Sequence, residues 1–315
     1  NINPLIPYSK SNEGPTLSVV DLNNDGLEDV FIGGGKGQQS NLFFQTIEGN
    51  FKVAPKDIFE DNHPINENSS SAFFDANNDG LQDLIVVNGG NEFENGKPLN
   101  PILYINKKGR LIEDAVQFKS IETNASKVTA VDFNNDGHLD ICITSNVVPK
   151  HFGAIPKQYL FSNDGLGNFK DITNTFSTDF QSIGNVEDIV WADLNNDQFM
   201  DAIVVGYWMP ITIFMNQEGR KLIRENHDEL SKTNGFWNTV KVNDFDNDGD
   251  MDLIVGNWGL NTRLTASTEQ PITLYLNDFD DNGSTESIIT YYYQGKETLF
   301  ANKDEVVKTL PYLNK

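Results

Sequence analysis

An all-β fold, a β-propeller of four-stranded blades, is predicted by three features of the sequence. One nine-residue acidic pattern recurs six times. Short segments rich in β-branched residues flank each copy, and a further apolar-aromatic segment follows each one. The copies read DLNNDGLED from Asp21, DANNDGLQD from Asp75, DFNNDGHLD from Asp132, DLNNDQFMD from Asp193, DFDNDGDMD from Asp244 and DFDDNGSTE from Asp278. Their starts lie 54, 57, 61, 51 and 34 residues apart, and the first four intervals suit a blade of four antiparallel strands.

Taken in order, the segments at 17–20, 72–74, 128–131, 188–192 and 240–242 lead into the loops as first strands. Those at 30–32, 84–87, 141–143, 202–205 and 253–255 leave them as second strands, each ended by Gly or Asn or soon followed by one. Third strands are expected at 42–44, 102–105, 159–161, 211–214 and 272–276. Turn residues such as Asn163, Asp164 and Gly165, or Gln217, Glu218 and Gly219, then lead to fourth strands. The last interval is too short for a blade. Asn277 stands where Asn106, Asn163 and Asn216 stand in other units, so the Asp278 loop reads as the turn between strands three and four of unit five.

The expected organisation is thus one propeller domain over 1–315, with blades at about 16–56, 70–115, 126–175, 187–225 and 239–295. Asn302 and Glu305 form a capping-box pattern that opens a short helix over about 303–310, stopped by Pro311.

The loops carry the chemistry. A hard cation such as Ca²⁺ takes six to eight oxygen ligands, and an acidic turn supplies them from side chains at positions 1, 3, 5 and 9 and a carbonyl at 7. In the six copies those positions are Asp21, Asn23, Asp25, Leu27 and Asp29; Asp75, Asn77, Asp79, Leu81 and Asp83; Asp132, Asn134, Asp136, His138 and Asp140; Asp193, Asn195, Asp197, Phe199 and Asp201; Asp244, Asp246, Asp248, Asp250 and Asp252; and Asp278, Asp280, Asn282, Ser284 and Glu286. An EF-hand shares the opening but needs Glu at position 12, which here is Ile32, Val86, Ile143, Val204, Val255 and Ile289. A strand follows instead of a helix.

Gly at position 6 supplies the positive φ of a sharp turn, and Gln198 takes its place in the fourth loop, which is expected to weaken or empty that site. Asn282 and Glu286 alter the sixth loop's charge and reach. Up to six Ca²⁺ ions are expected, and at two charges each they would reduce the formal net charge from −23 to −11.

Composition narrows the partners. Against 23 basic residues stand 46 acidic ones, and no Lys/Arg run is present, so nucleic acid and anionic lipid are excluded as partners. No apolar stretch is long enough to span a membrane. The single cysteine, Cys142, lies in an apolar run and rules out an intrachain disulfide, so metal is the expected staple.

In an up-and-down blade the acidic loops share one face of the disc, and the longer connections at 88–100, 146–156, 206–210 and 257–270 lie on the other. These connections and the strand approaches carry Phe93, Tyr207, Trp208, Trp237, Trp258, Asn261 and Arg263, a set of rings, amides and a cation suited to a glycan or peptide ligand. The opposing reading is that the tryptophans plug the central channel or pack between blades. No nucleophile elbow, catalytic triad, zinc spacing or phosphate loop is present, which favours a binding scaffold. The alternative is a carbohydrate-active lyase or hydrolase with paired carboxylates, such as Glu92 with Glu187 or Asp188.

The loops resemble the FG-GAP/VCBS repeat family, whose calcium-binding propellers include the head of integrin α subunits. The resemblance covers about 16–293. Segments such as NGGNEFENGKP, FWNTVKVNDFDNDGDMD and GNWGLNTR are similar to VCBS-repeat or ASPIC/UnbV-like surface proteins of Bacteroidota. That resemblance implies an exported, lipid-anchored cell-surface protein at the outer membrane, an accessory of a nutrient-uptake complex, with further repeats that complete a seven-bladed ring. Five blades are visible in this sequence.

Overall fold

The computed structural model describes Leu5 and residues 13–314, apart from positions 260 and 263. Among the described residues twenty-one strands follow one another with little helix. The first sheet holds β1 (Leu17–Val20), β2 (Asp29–Ile32), β3 (Asn41–Gln45) and β4 (Phe51–Val53). The second holds β5 (Asn68–Phe74), β6 (Asp83–Asn88), β7 (Ile102–Asn106) and β8 (Leu111–Glu113). The third holds β9 (Asn124–Val131), β10 (Asp140–Val147), β11 (Tyr159–Asn163) and β12 (Phe169–Asp171). After a single helical turn, α1 (Thr173–Phe176), comes the fourth: β13 (Asn185–Ala192), β14 (Asp201–Met209), β15 (Thr212–Gln217) and β16 (Lys221–Arg224). In each sheet the strands pair antiparallel in sequence order. The first strand of each sheet packs beside the first strand of the next, from β1 to β5 to β9 to β13 to β17 (Gly235–Asn243), as radial blades require. The chain is a β-propeller of four-stranded blades.

The core lies between blades. The second strands β6, β10 and β14 are buried on both faces, so each reads as a largely apolar run, and period-two alternation sends successive side chains to opposite neighbours. Leu84 and Val86 pack with Phe31 and Leu42 of the first blade, while Ile85 and Val87 pack with Ile141 and Ile143 of the third. Cys142 points the other way, to Ala202 and Phe214 of the fourth blade. Its thiol is fully buried, and burial pushes its pKa well up, so it acts as a small apolar core group.

Polar side chains stitch the inner strands together. Ser18 donates to the Ser71 carbonyl, Ser69 to Ala125 and Ser126 to Val186. Asp188 accepts from the Thr239 hydroxyl and the Val240 N–H, and pairs with Lys127 at 3.2 Å.

The fifth unit departs from expectation. β17 pairs with β18 (Asp252–Asn257) and, at Tyr207↔Phe236, with the end of β14. The expected third and fourth strands, β19 (Thr273–Asn277) and β20 (Glu286–Tyr293), pair with each other as expected, but β19 does not add to β18; with β21 (Lys296–Leu299) they form a separate three-stranded sheet. The reason is apolar surface. Tyr207, Phe236 and Leu264 form a buried cluster against which Ile272, Tyr291 and Phe300 pack, so this sheet covers the end of β14 instead of extending β18. The helix α2 (Lys303–Thr309) has the expected capping box, with Glu305 N–H donating to the Asn302 side chain and Asn302 N–H to Glu305.

Candidate functional site: six acidic loops and the opposite face

Five loops occupy the turns between first and second strands, from β1–β2 to β17–β18, and so lie on one face of the disc. The sixth joins β19 to β20 and lies elsewhere. Thr285 Oγ1 is 3.3 Å from His151 Nδ1, and Ser287 donates to the Phe152 carbonyl at 2.5 Å, both in the β10–β11 connection of the opposite face. The expectation that all six share a face is corrected here, because β19–β21 dock on the aromatic cluster.

All six loops nonetheless share one internal geometry. Position 1 accepts two backbone N–H groups with its two oxygens: in the first loop Asp21 takes Asp25 N–H at 3.1 Å and Gly26 N–H at 2.8 Å. Asp75, Asp132, Asp193, Asp244 and Asp278 do the same. The position-5 side chain then accepts the N–H of position 7 in every copy. These bonds curl the backbone around the side-chain oxygens and leave each carboxylate with lone pairs to spare.

Position 6 has positive φ throughout, and so does position 4, at Asn24, Asn78, Asn135, Asn196, Asn247 and Asp281. Sequence reasoning missed position 4, although the readiness of Asn and Asp to adopt this conformation was the available signal. Gln198 sits at φ 72°, strained for a residue with a Cβ. Gln198→Gly is expected to stabilise the protein by about 1 kcal/mol, read as a higher midpoint in urea unfolding.

Position 9 ties each loop to its sheet. Asp29 accepts Leu22 N–H and Gln45 N–H, Asp83 accepts Ala76 and Asn106, and Asp201 accepts Leu194 and Asn216. Asp29, Asp83, Asp140 and Asp201 are fully buried. Burial raises their pKa values, to about 6 for Asp83 and about 7 for Asp140. The position-1 and position-5 carboxylates push the same way, and backbone N–H groups oppose. Asp140 Oδ2 and Asp280 Oδ1 are buried without a hydrogen-bond partner.

Carboxylate oxygens converge within 4.8 Å of one another at Asp244, Asp246 and Asp252, and again at Asp278, Asp280 and Glu286. In the first, third and fourth loops the amide of Asn23, Asn134 or Asn195 donates to the position-5 carboxylate in place of a third acid. Adjacent blades meet at these loops. Asn163 Nδ2 donates to the Ala76 carbonyl and Asn216 Nδ2 to the Phe133 carbonyl, each at position 2 of the preceding blade's loop. A side chain at Gly219 would come within 2.3 Å of the Asn134 carbonyl.

On the opposite face the candidate ligand residues are dispersed. Phe93 carries the Lys36 ammonium 5.3 Å from its ring centre. Tyr207 is buried, and its hydroxyl accepts from Asn238 and the Trp258 indole. Trp208 packs edge-on against Phe236 at 4.8 Å and has φ 64°. The Trp237 indole donates to the Thr233 carbonyl. Asn261 is exposed, and Arg263 lies outside the described residues. Trp191 stacks on Phe133 within the core. Of the paired carboxylates considered for glycoside chemistry, Asp188 is committed to joining blades, and Glu187 is held by Asn146 at 3.1 Å. Among the described residues, no helix is long and apolar enough to cross a membrane.

Repeated acidic turns on radial four-stranded sheets define a class, the propellers of short acidic-loop repeats. The FG-GAP-like repeat model matches residues 21–86, 75–143 and 194–255, more than half of the chain, and the chain belongs to that family. No curated protein matches its sequence. Among solved structures it is similar to an Agrocybe aegerita lectin described as specifically recognising non-reducing terminal N-acetylglucosamine, at 15% identity and a TM-score of 0.49, covering 93% of this chain and 67% of that one. It is also similar to the V. cholerae biofilm matrix protein Bap1, at 14% identity and TM-score 0.39, covering 94% of this chain and 40% of that one. A β-fructofuranosidase from Schwanniomyces occidentalis follows at 10% identity and TM-score 0.39, covering 96% and 64%.

Proposed function

We propose that this FG-GAP-repeat propeller is a calcium-stabilised, non-catalytic binding scaffold that works outside the cytoplasm, lipid-anchored at a bacterial cell surface as an accessory of an outer-membrane uptake complex. One observation carries the metal part. Six loops repeat the same carboxylate geometry, and in two of them three carboxylates converge on one point. The donor set fits the ion. Like charges at that spacing repel, no basic side chain pairs with the buried position-9 acids among the described residues, and a hard divalent cation answers both with oxygen ligands alone. Positions 1, 3, 5 and 9 would hold it, and it would supply folding energy by binding only the curled loop.

A glycan or protein is the proposed ligand, at the face opposite the five loops, supported by Phe93 beneath the Lys36 ammonium and by Trp208, partly exposed and held at a positive φ. Glycan arrays and pull-downs from outer-membrane extract test this. Binding by the native chain should be lost in Phe93→Ala or Trp208→Ala while the melting temperature of at least Phe93→Ala stays unchanged. Polysaccharide turnover that disappears in Glu92→Gln would instead favour the enzyme.

A further inference from the structure

Blade five ends at an open edge, β18, yet the groups that hold a third strand in the complete blades are present beside it. In each of the first four blades the residue after the acidic loop faces an aromatic ring of the third strand: Val30 with Phe43, Leu84 with Tyr104, Ile141 with Phe161 and Ala202 with Phe214. Two residues beyond each ring stands Gln45, Asn106, Asn163 or Asn216, whose N–H donates to the position-9 carboxylate at 3.0, 2.6, 2.9 and 2.7 Å. The Asn163 and Asn216 amides also donate to the position-8 carbonyl of their own loop and the position-2 carbonyl of the preceding one. An aromatic ring and an amide two residues on thus dock each third strand.

β19 carries the same two groups, Tyr275 and Asn277. Tyr104, Phe161 and Phe214 are buried, whereas Tyr275 and Asn277 are exposed. The groups that would receive them are in place. Asp252 at position 9 accepts Phe245 N–H, as its counterparts accept theirs, but among the described residues it takes no N–H from a third strand. The carbonyls of Met251 at position 8 and Leu194 at position 2 of the preceding loop likewise receive no Asn side chain among the described residues. At position 11, Phe31, Ile85, Cys142 and Ile203 are 0% exposed, and Ile254 is 57% exposed. An edge of this kind leaves apolar surface and ladder groups in water.

The register of the complete blades, carried to blade five, sets Leu253 opposite Tyr275, Ile254 opposite Leu274 and Val255 opposite Thr273. The connection 258–272 is longer than 89–101 and 148–158, which make the same turn in blades two and three. Where the hairpin now lies, Ile272, Tyr291 and Phe300 pack on the Tyr207 cluster, and Leu274 lies against Gly153, where a Cβ would come within 2.7 Å of it. Each location buries apolar groups that the other leaves in water, so the two compete for one hairpin.

We propose that the β19–β20 hairpin is a strap with two seats: the aromatic cluster around Tyr207, where it is seen, and the open edge of β18, where it completes blade five. Moving to the edge uncovers Tyr207, Phe236 and Leu264 and brings the Asp278 loop to the face of the other five. The two seats do not depend on what the uncovered face binds.

Paired thiols in the whole chain test this. Leu253→Cys with Tyr275→Cys places the thiols opposite one another in the second seat, while in the first the two strands belong to separate sheets. Cys142 is fully buried and takes no part. Under mild oxidation a disulfide within one chain is expected, about tenfold faster than for Val255→Cys with Tyr275→Cys, which is two residues out of register. Adding Asn277→Ala, a change at an exposed side chain in the first seat, should slow the reaction about fivefold or more. No disulfide, equal rates for the two pairs, a bond only between chains, or indifference to Asn277→Ala would each overturn the assignment. If the first pair does not fold, Met251→Cys with Asn277→Cys, both exposed here, replaces it: closure within one chain supports the strap, and failure to close overturns it.

Discussion

Asp83→Ala is expected to destabilise the protein by about 3 kcal/mol or more, because one truncation strands two buried N–H groups at about 1–3 kcal/mol each. Asp83 Oδ2 accepts Ala76 N–H at 2.9 Å and Oδ1 accepts Asn106 N–H at 2.6 Å, and both Ala76 and Asp83 are fully buried. The carboxylate therefore joins the start of the acidic loop to the end of the third strand. Asp83→Asn should fall between native and alanine, since an amide can accept only one of the two N–H groups without bringing donors together. Asp201→Ala, with partners at Leu194 and Asn216, should behave like Asp83→Ala. Urea unfolding gives the numbers; a loss under about 1 kcal/mol for Asp83→Ala would contradict this role for position 9.

Phe133→Ala should cost about 3–5 kcal/mol by leaving a cavity between the third and fourth blades. The ring is 0% exposed, lies 5.0 Å from the Phe176 ring and stacks on Trp191 at 5.7 Å. Phe245 holds the same place, position 2, in the fifth loop but is 45% exposed, so Phe245→Ala should change stability by less than about 1 kcal/mol. The pair separates packing from loop chemistry, because both variants leave every acidic side chain of the loops in place.

Most of the propeller was legible in the sequence because the second strands of its middle blades, β6, β10 and β14, are buried on both faces. Ile141, Cys142 and Ile143 form an unbroken apolar run between turns, and the acidic loop marks where each run starts. The strand order of the first four blades followed from that spacing. What escaped was the choice of partner for β19. Thr273–Asn277 has the same local pattern as the other third strands and pairs with β20 as expected, yet does not add to β18, and its placement depends on the apolar surface of Tyr207 and Phe236, up to about a blade's length of chain away. Local propensity carries no record of such a preference. The curled acidic turns were legible, whereas the hydrogen bonds of Asp29, Asp83 and Asp201 to the third strand were not, since a loop carboxylate and a strut are both written Asp. The aromatic residues of the opposite face were found by type alone. Tyr207 proved to be core, with its hydroxyl satisfied internally.

Divalent cations in the acidic loops are proposed to pin the blades. Thermal unfolding of the native chain in excess EGTA, against the same chain in millimolar calcium at equal ionic strength, tests it most directly. Each loop held at a hundredfold excess over its dissociation constant adds about 2.7 kcal/mol, so several loops together predict a large fall in melting temperature on chelation, reversed by calcium and not by sodium. An unchanged midpoint in EGTA would contradict it.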